Sequence, residues 1–195
     1  HSMANIILAD ASRKGLCTMD INSTSWYEIQ GALLGSKAAQ IIRQICRYNR
    51  DKKWPIDIHP LLVKWIITQA GYCMPGTDLN YPVYDTLDPS YPKLEGISKI
   101  AQQNVKGVLC GNSAFGLATS YSLPLQSFAL YTGYEEENDA IVPWTSCDEG
   151  DTQYSNDYRS LFYSAKVNHA DGTCRNGNGW WSNKRRPCSW YTDKT

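Results

Sequence analysis

The chain has no run of about eighteen apolar residues, the minimum for a helix that crosses a bilayer. It also has no surplus of positive charge: 19 Lys and Arg meet 19 Asp and Glu. That balance argues against nucleic acid as a partner, because phosphate binding calls for a basic excess. No two cysteines form a CxxC pair, and no His/Cys cluster has ligand spacing, so neither a metal nor a cofactor is expected. The turn Asp148-Glu149-Gly150-Asp151 offers hard oxygens but lacks the ordered loop of roughly twelve residues that calcium sites use. There is no internal repeat and no low-complexity stretch. No secretory leader is recognisable at the start, and His1-Ser2-Met3 reads as a cloning remnant.

What is present is sulfur. Seven cysteines stand at positions 17, 46, 73, 110, 147, 174 and 188. Their even spread is that of a disulfide-stapled secreted domain and sets an extracellular or cell-surface location as the expectation. Cys174 and Cys188 enclose a short Gly- and Asn-rich loop and are the easiest pair to assign; the odd count leaves one thiol over. Asn22-Ser23-Thr24 is a glycosylation sequon, which matters only in a secreted eukaryotic protein.

Charge is unevenly distributed. Between Gly107 and Tyr158 there is no Lys or Arg, while Glu135, Glu136, Glu137, Asp139, Asp148, Glu149, Asp151 and Asp157 all fall there. The plain reading is a solvated acidic loop beside a basic face of the same molecule.

The local patterns divide the chain into a helical part, about 25–106, and a β-rich part, about 108–195, within one domain spanning 4–195. Residues 4–24 show no clear period. Ser25-Trp26-Tyr27-Glu28 has the capping-box pattern and predicts a helix running to about Asn49. Pro60 opens a second, apolar helix that ends at Gly71. The prolines at 75, 82, 89 and 92, with Tyr81, Tyr84 and Tyr91 among them, predict a long ordered coil. A shorter helix is expected from about Ile97 to Val105, ended by Gly107. Segments around 113–121, 125–134, 140–146 and 158–168, rich in aromatic and β-branched residues, read as strands, with a hairpin signal at Asp171-Gly172. Helices followed by strands predict an α+β fold, with N-terminal helices packed on a C-terminal antiparallel sheet.

The strongest functional signal is aromatic. Tyr is found thirteen times and Trp seven times, against three Phe. Tyr and Trp carry a polar handle that suits half-wet surfaces. Trp180, Trp181 and Trp190 lie near the C-terminus among Asn178 and Asn183, with the basic run Lys184-Arg185-Arg186 beside them. Rings flanked by amides can stack on sugar faces while the amides bind hydroxyls, and Trp, Tyr and Arg anchor protein interfaces. The expectation is a binding protein of adhesin or effector type that recognises a protein or carbohydrate surface. Trp180, Trp181, Trp190, Asn178, Asn183 and Tyr84 are its candidate ligand-binding residues.

Two alternatives come from other classes. In a Cys–His hydrolase or toxin acting on peptide or cell-wall bonds, Cys17 would be the nucleophile, His169 the base and Asp171 the orienting acid. The other is a pilin-like filament subunit whose hydrophobic N-terminal assembly helix, about twenty apolar residues, has been removed.

Overall fold

The computed structural model describes residues 1–20, 22–48, 87–148, 150 and 152–194, with the side chains of 43–48 excepted. The helix expected after Pro60 and the tyrosine–proline coil as far as residue 86, Tyr84 included, lie outside the described residues. So does part of the acidic turn at 148–151.

Three short strands form one sheet. They are β1 (Trp26–Ile29), β2 (Val105–Gly111) and β3 (Phe162–Ala165), in the order β1-β2-β3. Both pairings are parallel, with Ile29 opposite Leu109 and Leu109 opposite Tyr163. This overturns the antiparallel expectation. Parallel neighbours cannot be joined by a hairpin; each connection must cross over the sheet, and here helices supply the crossovers. The described helices are α1 (Ala4–Arg13), α2 (Lys37–Tyr48), α3 (Leu94–Asn104), α4 (Ser122–Thr132), α5 (Trp144–Cys147) and α6 (Pro187–Lys194). The segment α2 to α3 lies between β1 and β2, and α4 and α5 lie between β2 and β3.

The capping-box helix predicted from Ser25 is instead strand β1. Its pairing with Val105–Leu109 buries Glu28 completely, and Gln30 then turns the chain with φ +47°. The helix begins later, at Lys37. There the Ser36 hydroxyl accepts the Ala38 amide at 3.1 Å, in the manner of an N-cap. Residues 4–13, which show no clear sequence period, form α1. It buries Asn5, Ile6 and Ala9, and Asp10 pairs with Arg13 and Lys14 at its end. Helix α3 overlaps its expectation but starts three residues earlier, at Leu94, and Val105 and Gly107 belong to β2; Leu94, Ile97, Ser98 and Ala101 make a buried stripe at helical spacing. The segment 125–134 is not a strand but most of α4, closed by Gly133 at φ +65°, where the Gly133 amide returns to the Ala129 carbonyl. The Asp171-Gly172 hairpin is a 3-10 turn.

Because β2 is the middle strand, its side chains alternate between two buried faces. Val108 and Cys110 join Ile6, Ala9, Trp26, Leu33, Leu94, Ile97 and Ala101 on one side, in a layer made largely by α1 and α3. Leu109 joins Ile29, Leu117, Tyr163, Ala165, Val167 and Trp190 on the other, where α6 packs. The sheet is thus the middle layer of three. Cys110 and Cys147 are bonded inside the first layer and tie β2 to α5; Cys174 and Cys188 are bonded at the surface, as their spacing suggested. Each bridge is of the kind that adds about 2–4 kcal/mol. No described helix is long and apolar enough to cross a membrane.

Candidate functional site

Two places bring polar or aromatic side chains together. The first is the carboxyl edge of the sheet, where parallel α/β sheets place their ligands. Gln30 leaves β1 fully buried, its amide donating to the Asn168 carbonyl at 3.0 Å. Glycines at 111 and 172 leave room for it: a Cβ on either would collide with the Gln30 amide. His169, just beyond β3, is held by Asp139 through Nδ1 and Oδ2 at 2.8 Å. Asp139 is itself buried. Its other oxygen accepts the amides of Ile141 and Val142, which the left-handed Ala140 (φ +86°) folds back toward it. The His1 ring lies 4.6 Å from the His169 ring, and its Nε2 approaches the Gln30 side-chain oxygen and the His169 carbonyl oxygen at 3.1 Å each.

A histidine tethered by a buried carboxylate is equipped for proton transfer. The carboxylate here is Asp139 and not Asp171. Asp171 is buried as a structural acceptor, taking the Leu117 amide at 2.7 Å, the Asn168 amide at 3.3 Å and the Asn176 side chain at 2.7 Å. Cys17 is a half-buried free thiol that makes no hydrogen bond to His169 or Asp171. Ser2 donates its amide to Ile29 at the carboxyl end of β1, and α1 then carries the chain about 15 Å along its axis before Cys17 is reached. The structure therefore does not assemble the Cys17–His169–Asp171 set. Asp139 went unnoticed as a partner because it sits thirty residues from His169, inside a block of eight acids that offers no way to single it out.

The second place is the loop closed by Cys174 and Cys188. Trp180 is 81% exposed and Trp181 95% exposed. The chain reverses at Trp181, whose φ of +63° is uncommon for an aromatic residue. Ser182 follows in extended conformation and accepts the Lys184 amide, opening a 3-10 turn over Asn183–Arg185. The base of the loop is fixed to the sheet. The Tyr163 hydroxyl donates to the Asn183 carbonyl at 2.6 Å and accepts the Arg186 amide at 3.0 Å, while the Lys166 amide donates to the Lys184 carbonyl at 2.6 Å. Burial pushes the Tyr163 hydroxyl up to about 12, although the Arg186 amide favours its ionised form.

The six candidate ligand-binding residues separate. Trp180 and Trp181 share the tip. Trp190 is buried, donating its indole N–H to the Ser160 carbonyl at 2.9 Å, and does not reach that surface. Asn178 is paired at both ends with Ser189: its NH2 donates to Oγ at 2.9 Å, and its oxygen accepts the Ser189 amide at 3.1 Å. Asn183 donates to Asp157 at 3.2 Å. Tyr84 is outside the described residues. The amides expected to meet sugar hydroxyls thus serve to hold the loop together.

Compared with protein families, curated proteins and solved structures, the chain matches none.

Proposed function

We propose that this is an exported binding protein that docks on an extracellular surface through Trp180 and Trp181. The observation that carries the reading is the exposure of two adjacent tryptophans at the tip of a loop braced by a disulfide and by β3. Leaving two indoles in water forgoes burial worth roughly 1.5–3 kcal/mol for a large apolar side chain, which a partner surface recovers. Bracing the loop beforehand lowers the ordering cost of association. Two disulfides suit an oxidising compartment.

The test is adsorption of fluorescently labelled protein to intact cultured cells, read by flow cytometry. W180A/W181A should lower the apparent affinity by about tenfold or more, since aromatic hot spots contribute at this level. Equal adsorption of the two proteins, or none by the wild type, removes the reading.

A further inference from the structure

The structure assigns the partner of this tip to an anionic phospholipid surface, an assignment that rests on the reading of Trp180 and Trp181 as the docking residues. The segment from Cys174 to Cys188 holds Arg175, Lys184, Arg185 and Arg186 and no Asp or Glu. Lys184 and Arg175 are exposed, and Arg185 and Arg186 are half-exposed. Arg175 rests over the Tyr121 ring and Arg186, its Nε buried, over the Tyr158 ring, contacts that do not neutralise their charges.

Of the two acids that touch the loop among the described residues, Asp171 is buried, and Asp157, its side chain 39% exposed, is paired. Asp157 takes the Asn183 amide and the Arg159 guanidinium, and Asp171 is buried on Asn176 and Leu117. Asn176, Asn178, Ser182 and Asn183, the side chains a glycan site would use, each make at least one hydrogen bond within the protein. What the disulfide-closed segment offers outward is two indoles and the exposed cations Arg175 and Lys184. Indoles settle at the headgroup level of a bilayer, and cations beside them are drawn to its negative surface potential.

The experiment is co-sedimentation with phosphatidylcholine vesicles, with and without about a third phosphatidylserine, a composition whose charge acts on juxtamembrane cations. The wild type should pellet with the phosphatidylserine vesicles and not with phosphatidylcholine alone. Raising salt from about 0.05 to about 0.5 M should release it. K184Q/R185Q should weaken binding roughly 25-fold, at roughly fivefold per cation removed, and W180A/W181A should abolish it. The salt arm uses unmodified protein, so it decides even where a variant folds poorly. Equal pelleting with both vesicles overturns the assignment. If the wild type ignores both vesicles but still adsorbs to cells through its tryptophans, the lipid assignment fails and the docking reading stands, with an acidic protein surface as partner. If vesicle binding survives W180A/W181A unchanged, the lipid assignment of the tip fails, and both readings fail if cell adsorption is unchanged as well.

Discussion

Trp190 and the pair Trp180–Trp181 are ten residues apart and have opposite surroundings. Trp190 is 1% exposed, meeting Tyr27 edge-on at 5.8 Å and Tyr191 at 5.9 Å, with its N–H satisfied by Ser160. The tip residues are almost wholly in solvent. The same side chain thus closes the core on one side of Cys188 and stands clear of it on the other. Composition could not separate them, because what decides is the direction of the chain. After Arg186 it enters α6 and lies against the sheet, whereas before Ser182 it reverses at a left-handed Trp181. A cluster of tryptophans in sequence is therefore not a surface in space, and only the pair held away from the sheet is available for docking.

The contrast can be broken from either side, and the largest effect falls on the buried member. W190A should cost about 3–5 kcal/mol, the range for emptying a buried aromatic site, measured by urea unfolding. A loss below about 1 kcal/mol would mean that α6 does not close the second layer. The two described disulfides sharpen the same contrast. Removing the buried bridge with C110A/C147A should cost about 2–4 kcal/mol, because it closes 37 residues of separation within the core. C174A/C188A should cost less, with only 14 residues of separation, and should act chiefly on docking by freeing the tip.

A third effect is alkaline. Tyr163 and Tyr191, on the Trp190 side of the sheet, and Tyr134, bonded to Ser36, are each pushed up to about 12 by burial. Their folded values lie above the unfolded value near 10, so the unfolded chain releases protons first as pH rises. Stability is complete below about pH 10 and declines through about pH 12. Melting temperatures across that interval should fall, and Y163F should flatten the fall. An unchanged slope in Y163F would remove that tyrosine from the account. Smallest of all is the effect of W180A/W181A on stability, within about 0.5 kcal/mol by urea unfolding, as for other exposed substitutions.

Of the described helices only α3 and the second half of the helix expected to run to Asn49 were legible, and the parallel sheet was not. The sequence pattern starts helix α3 at about Ile97, three residues late, and the Cys174–Cys188 bridge is legible through its short enclosed loop. Strand β1 has only four residues and carries Ser25 and Glu28 in a helix-start pattern. Its partner strand lies some eighty residues away, and that pairing decides its state. In α4, Leu123 and Leu130 face solvent, so no one-sided stripe marks it as a helix. Asp139 and Gln30 became visible as a pair of site residues only once parallel pairing carried the ends of β1 and β3 to the same edge of the sheet. Of the candidate binding residues, the tryptophans were legible by type, but the engagement of Asn178 and Asn183 was not, since Ser189 and Asp157 are brought to them by the fold.

Fluorine NMR of fluorotryptophan-labelled protein, with each resonance assigned by single Trp-to-Phe substitution, reads the central contrast directly. On changing H2O for D2O, the resonances of Trp180 and Trp181 should show the full solvent isotope shift of a free indole, and that of Trp190 none. Solvent-shielded resonances for Trp180 and Trp181 in the free protein would contradict the account, because a tip already covered has nothing left to dock.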